Sequence, residues 1–403
     1  MLAGVFINLD CDFLIIGAGI VGLSIARELK KKKNQARIIV IDKESKPAFH
    51  ASGRNSGVLH AGFYYSAESL KAQFCKAGNE QLTAYCLQHG LAINPCGKLV
   101  LASDRGEQQT LEVLFERARQ QGIAVAELSP RAAQKIEPRA RVFERALFSP
   151  TTASINPLQV ATTISEELTS LGVDLRYDCA FRERLNESTV VTSGGTISSS
   201  YLFNSAGLYA DSVAKHWQLG LEFKILPFKG LYLYADTSIT PLNCHIYPVP
   251  NLANPFLGVH FTITAEGKMK VGPTAIPALW REQYQGFSRF NLSEFMEILW
   301  EHSKLLRRAK FDFRKLAFEE SKKYFPRLLL KRSAKLLTCN AEPKNFYWGP
   351  AGIRAQLIDH NKRSLLMDFE IRRTPTSTHI LNAVSPAFTC SFPFAQRLVQ
   401  EIL

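Results

Sequence analysis

The run Phe13-Leu14-Ile15-Ile16, entered from Asp12, is short and unbroken in its apolar character, the pattern of a strand buried on both faces. Leu23, Ile25, Ala26 and Leu29 then recur at helical spacing until four lysines at 30–33 end the periodicity. A second strand is expected over 37–41. Further on, Tyr232, Tyr234 and the stretches 245–249, 256–264 and 268–271 read as strands of a mixed sheet, the third carrying an apolar run, 256–259, that ends at His260. Near the C-terminus Ser385-Pro386 reads as cap and first turn of a helix running through Phe394, Leu398 and Leu403. No apolar run approaches the roughly 18 to 20 residues of a membrane-spanning helix. Neither repeats nor low-complexity linkers interrupt the chain.

The junction of the first strand and helix carries the first chemistry. Gly17-Ala18-Gly19-Ile20-Val21-Gly22 is a GxGxxG motif in its proper strand–helix–strand context. Gly17 allows the tight turn, Gly19 admits a pyrophosphate to the backbone, and Gly22 lets helix and strand pack closely. Asp42, 20 residues after Gly22, ends the second strand where a carboxylate can bind both hydroxyls of an unphosphorylated ribose. Lys43 beside it is a further candidate for cofactor contact. The motif alone does not separate FAD from NAD.

Residues 50–65, His-Ala-Ser-Gly-Arg-Asn-Ser-Gly-Val-Leu-His-Ala-Gly-Phe-Tyr-Tyr, decide for flavin. An NAD dehydrogenase usually has an ordinary crossover helix here. A segment rich in Ser, Gly and Asn instead suits one that runs beneath an extended cofactor, with Ser52, Asn55, Ser56 and Gly57 approaching phosphate and ring.

From Arg54-Asn55-Ser56-Gly57 to Tyr65 the chain resembles the L-2-hydroxyglutarate dehydrogenase/oxidase family of the D-amino-acid oxidase-like superfamily. The resemblance continues through Ser69-Leu70-Lys71-Ala72, Cys96-Gly97-Lys98-Leu99-Val100 and Asn204-Ser205-Ala206-Gly207. It extends to Pro227-Phe228-Lys229-Gly230, Tyr247-Pro248-Val249-Pro250, Gly352-Ile353-Arg354-Ala355-Gln356 and Leu381-Asn382-Ala383-Val384-Ser385-Pro386. No clear correspondence covers the basic stretch before Asn340. The family usually has an aspartate where Ser154-Ile155-Asn156 stands, and small residues where Phe388-Thr389-Cys390-Ser391-Phe392 stands. These departures leave the flavin fold intact and bear on the substrate.

The resemblance implies an α/β protein. A discontinuous glutathione-reductase-type, Rossmann-like FAD domain (10–90, 150–215 and 343–403) would interleave with a mixed-sheet substrate domain (91–149 and 216–342). It implies FAD contacts at Ala206, Gly207, Gly352, Ile353 and Ser385 as well. The C-terminal helix would aim its N-terminus at the flavin N1–C2 edge, where its dipole stabilises the reduced ring. The activity implied is oxidation of a 2-hydroxy acid, foremost L-2-hydroxyglutarate to 2-oxoglutarate, with electrons passed to a quinone or oxygen. Two alternatives remain: an FAD amine oxidase of glycine- or D-amino-acid-oxidase type, and a flavin-binding protein with little turnover.

Such an oxidation needs a base for the hydroxyl proton and cations for the carboxylates. His60 and His260 are the candidate bases, and Tyr64 stands beside the first. A histidine in this early region is covalently attached to flavin in some relatives. Arg354 is the foremost carboxylate clamp, with Arg54, Lys98 and Lys229 as further choices.

Charge adds a partner class. The formal net charge is +13, and 304–335 holds twelve basic residues against three acidic ones. A solvated basic helix face is the plain reading. A peripheral contact with the inner face of a membrane is the other, since Phe311, Phe313, Leu316 and Phe318 interleave with the charges. No nucleic-acid reader motif accompanies the stretch. Eight scattered cysteines without a CxxC pair suit reduced thiols in a cytoplasmic protein, and with nine unclustered histidines no metal is expected.

Overall fold

A computed structural model describes residues 10–252, 258–308, 313–339 and 341–403. Strand Cys11–Ile16 lies at the centre of a sheet, parallel to Ile38–Ile41 on one side and Gly195–Asn204 on the other. Asp174–Arg176 and Ser377–Asn382 extend it, both parallel, so the five strands run side by side in one direction. Phe13 and Ile15 point into a core shared with three helices, Ile20–Lys32, Leu70–Gln88 and Ala387–Gln400. Leu14 and Ile16 point to the opposite core, with Val190, Val213 and Trp217. That two-sided burial accounts for the unbroken apolar run.

A second, mixed sheet has the order Phe346–Trp348, Leu233–Ala235, Met269–Gly272, His260–Ile263, His245–Pro248, Lys98–Leu101, Ala146–Ser149, Ala126–Leu128. Its strands alternate with period two. Leu99, Leu101, Ile246, Phe261, Ile263, Met269, Val271 and Leu233 face a core capped by Leu329, Leu330, Leu336 and Leu337. The opposite face carries Lys98, His245, Tyr247, His260, Thr262, Lys270 and Tyr232, and it is also buried. A buried polar face has to be paired inside the protein or with a ligand.

A third sheet has four strands. Phe223–Gly230 pairs antiparallel with Gly352–Asp359, placing Arg354 opposite Phe228 and Gly352 opposite Gly230.

Three sequence expectations change. His260 opens its strand rather than ending one, because the polar–apolar alternation begins with it; Phe256 and Leu257 lie outside the described residues. The C-terminal helix starts at Ala387 and not at Ser385, and its N-cap is Pro386. Ala387 N–H is held in a turn by the Val384 carbonyl, and the Pro386 carbonyl accepts the first helical bond, from Cys390. The basic stretch is not one helix face. The helices Leu292–Arg308, Phe313–Ser321 and Pro326–Ser333 share it, divided by the buried Lys323–Glu320 ion pair and by Pro326. Phe311 lies outside the described residues.

Candidate active site

One cavity of about 1140 Å³ runs from the glycine turn to the polar face of the mixed sheet. Its long arm is built by strand ends, as expected for an open parallel sheet. Gly17, Gly19, Asp42, Lys43, Ser52, Asn55, Ser56, Ala206 and Gly207 line that arm, and Gly352, Ile353 and Ser385 line its continuation.

The glycines are sterically required. At Gly17 φ is +107°, and a Cβ would lie 2.5 Å from the Ser205 carbonyl oxygen. A Cβ at Gly22 would lie 2.0 Å from the Gly17 carbonyl oxygen, so Gly22 serves helix–strand packing and is off the cavity wall. Gly57 is off the wall too, against the expectation of a cofactor contact. Its role is steric, since φ is +75° and a Cβ would meet the Ile155 carbonyl at 2.4 Å.

Several polar groups first shape the loop. Ser52 Oγ accepts the Ile20 N–H at 2.9 Å and holds the start of the first helix. Asn55 donates to the Ser52 carbonyl at 2.8 Å and accepts from Gly57 N–H at 2.8 Å. Asp42 accepts from Ala18 N–H (2.7 Å) and Glu44 N–H (2.9 Å), and burial raises its pKa against the pull of those two bonds. Lys43 is tied to Glu44 and Glu282, and Arg289 bridges the same two carboxylates. Glu44, His50 and Glu282 come within metal-ligating distance of one another, but these cations already engage the carboxylates.

The cavity's other end brings His60, Tyr64, Tyr65, Lys71, Tyr232, Tyr247, His260 and Arg354 together. Both histidines are buried. Burial, with the Lys98 cation adding, pushes His60 down to about 3. Burial also takes His260 well below its ordinary value, although Nδ1–H donates to the Gly258 carbonyl at 2.7 Å. That bond leaves Nε2 as the lone-pair nitrogen. The Tyr64 hydroxyl is buried without a hydrogen-bond partner among the described residues, as a group kept for a ligand would be. Arg354 is fixed by donation to the Thr274 carbonyl at 2.9 Å, and burial lowers its pKa.

The other clamp candidates fall elsewhere. Arg54 is on the wall, but it donates to the Phe49 and Ala351 carbonyls and its guanidinium lies 4.4 Å from the Tyr284 ring centroid. Lys98 stands behind the wall, its Nζ 4.3 Å from the Tyr64 ring centroid and 5.1 Å from that of Tyr247, with burial pushing it down to about 7. Lys229 is buried away from the cavity. Sequence reasoning misses Tyr232, Tyr247 and Lys71 as site residues.

The shape suits FAD. The glycine turn admits a pyrophosphate, Asp42 ends the strand where a ribose belongs, and a Cβ at Gly207 would meet nothing within 4 Å. Residues 12–401 match the family of FAD dependent oxidoreductases termed DAO. The L-2-hydroxyglutarate dehydrogenase of Escherichia coli (strain K12) is 36% identical, the match covering 97% of this chain and 93% of that protein. The mitochondrial L-2-hydroxyglutarate dehydrogenase of Homo sapiens is 33% identical over 97% of this chain and 88% of its own. Among solved structures, dithionite-reduced L-alpha-glycerophosphate oxidase from Mycoplasma pneumoniae with FAD bound superposes with TM-score 0.77 at 20% identity, covering 97% and 94% of the two chains. Glycine oxidase from Geobacillus kaustophilus gives 0.71 at 19%, with 97% and 94% covered.

Proposed function

The chain belongs to the DAO family of FAD dependent oxidoreductases, and from that premise we propose that it oxidises L-2-hydroxyglutarate to 2-oxoglutarate. The observation that carries the chemistry is His260, neutral and tautomerically fixed, in the same cavity wall as Arg354.

Gly17, Gly19, Asp42, Ser56, the 205–207 turn, Gly352, Ile353 and Ser385 would hold the FAD. Bound there, it supplies a two-electron acceptor for the C2–H bond. Arg354 holds the carboxylate next to the hydroxyl and so orients C2. His260 Nε2 takes the hydroxyl proton as the carbonyl forms. A bound dianion raises the basicity of that nitrogen, since it favours the imidazolium. His60 and the Tyr64 hydroxyl complete the wall and exclude water from the reacting centre.

For the electron acceptor, a quinone or oxygen, the relevant surface is the basic one. Phe318 and Phe325 are 62% and 64% exposed, near Lys322, Arg327 and Lys331. This supports a peripheral contact with an anionic membrane. No helix among the described residues is long and apolar enough to cross a membrane.

The test is anaerobic mixing with L-2-hydroxyglutarate, its D-enantiomer, lactate and glycine, following flavin absorbance near 450 nm (roughly where oxidised flavin absorbs). Rapid bleaching by the L-dicarboxylate alone is expected. Bleaching by glycine, with ammonia released, would replace this activity with amine oxidation.

A further inference from the structure

We propose that Lys71 forms the subsite for a second carboxylate, so that a dicarboxylate lies between Lys71 and Arg354 with His260 between the two. This rests on the activity proposed above and adds the residue that selects two carboxylates over one.

Lys71 sits in the first turn of the helix Leu70–Gln88 and lines the cavity. It is only 6% exposed. Its own N–H and that of Leu70 donate to the Asp368 carboxylate, which adds to the N-cap Ser69, whose Oγ accepts the Ala72 N–H at 3.2 Å. Its Nζ has no carboxylate within ion-pairing distance among the described residues; its nearest aromatic neighbour is the Tyr65 ring, 5.8 Å to centroid. A cation in a helix's first turn opposes the helix dipole, and burial adds a desolvation cost. The Asp368 carboxylate at the helix start offsets part of these costs, but no ion pair to Nζ among the described residues offsets the rest. Such a group is matched by an anion that arrives.

The sheet supplies the spacing. Tyr247 stacks on His260, their ring centroids 3.7 Å apart. His260 pairs across the ladder with Gly272, and a Cβ on Gly272 would come 2.8 Å from the Tyr232 ring. Arg354 lies by Tyr232, at one end of this row, and Lys71 by Tyr65, itself a neighbour of Tyr247, at the other. Strands about 4.8 Å apart make the row from Tyr247 to Tyr232 roughly 14 Å long. Four C–C bonds of about 1.5 Å let a five-carbon dicarboxylate span roughly 5 Å, leaving the rest to the two reaching side chains.

Charge agrees with this placement. Burial pushes Lys71 down to about 8, with the Asp368 carboxylate opposing the shift, so it is a cation at pH 7. Of the groups around it, Tyr65 and Cys390 are held well above their ordinary values by burial and stay neutral.

The test titrates FAD-loaded protein with glutarate and with butyrate, reading the perturbation of the flavin spectrum. Lys71→Met is expected to weaken glutarate binding about 10- to 100-fold, the loss of a charge-assisted contact, while butyrate changes less than about threefold. Lys71→Arg should restore most of the preference. In the unsubstituted protein, glutarate affinity should fall as pH rises through about 8, and Lys71→Met should abolish that dependence even though Lys98, at about 7, still titrates. If Lys71→Met loses its flavin, Lys71→Arg carries this second readout: its glutarate affinity should no longer fall as pH rises through about 8, because a guanidinium stays charged. Equal losses for both ligands, or a shifted flavin midpoint potential with the preference intact, would assign Lys71 to the cofactor and overturn the proposal. Unsubstituted protein that binds neither glutarate nor L-2-hydroxyglutarate refutes the proposed activity itself; binding of glutarate that ignores the substitution refutes only the role of Lys71.

Discussion

The Tyr247 ring lies stacked on the His260 imidazole, with centroids 3.7 Å apart and 19° between the planes. The stack and the Nδ1–Gly258 bond together leave the imidazole one orientation and one tautomer. His260→Gln should therefore lower kcat by about 10²- to 10⁴-fold, the usual worth of a positioned base. Tyr247→Phe keeps the ring and should cost less than about fivefold. Stopped-flow flavin reduction measures both, and equal losses in the two variants would remove His260 from the base's role.

The same burial predicts the pH profile. A histidine whose pKa is depressed stays neutral as pH falls through the ordinary value near 6.5. His60, at about 3, does likewise. In kcat/KM, which reports the free enzyme, no acid limb centred near 6.5 is expected. Activity should persist to about pH 5, where the acid stability of the fold takes over. An inflection near 6.5 that vanishes in His260→Gln would show a solvated imidazole instead.

The sequence made the cofactor arm readable because its determinants are local. Gly17, Gly19, Gly22 and Asp42 all fall within one strand–helix–strand unit, where motif and context can be checked together. The substrate end is assembled from distant pieces. The Lys71 N–H donates to Asp368 from 297 residues away, and Tyr232 meets Gly272 only through strand pairing. Signals existed nonetheless. Lys98 and Lys270 interrupt otherwise apolar strands, and Lys71 is a cation placed against a helix dipole. Of the three, only Lys71 lines the cavity; Lys98 and Lys270 are buried behind it against tyrosine rings.

Gly17→Ala tests the cofactor arm directly. The added methyl would sit 2.5 Å from the Ser205 backbone oxygen, at a φ of +107° that alanine strongly disfavours. Strain of about 1–3 kcal/mol translates into roughly 10- to 100-fold weaker FAD binding. The ratio of flavin to protein absorbance after dilution and gel filtration reads it. Retention of FAD at the unsubstituted level would mean that the turn can relax, and that the phosphates are held elsewhere.

Arg281 and Asp211 form a buried bidentate pair, 2.8 and 3.0 Å, beneath the turn that carries Ala206 and Gly207. Asp211 also accepts the Ile225 N–H at 3.0 Å, so the pair ties the helix Ala210–Lys215 to the strand Phe223–Gly230. Burial alone would raise the Asp211 pKa, but Arg281 more than offsets it and the net shift is downward. A depressed carboxylate contributes stability that is full above its unfolded pKa, near 3.9, and is lost as pH falls through the lower folded value. Arg281→Met strands the carboxylate in an apolar site and should cost about 3–5 kcal/mol at pH 7. The sign then reverses: the unpaired Asp211 is raised above 3.9, so the deficit shrinks as acid neutralises it. Urea unfolding of both proteins at pH 7 and pH 5 separates the cases. A deficit that narrows at pH 5 is expected, and one that stays constant would show that the substituted side chain repacks with Asp211 reaching water.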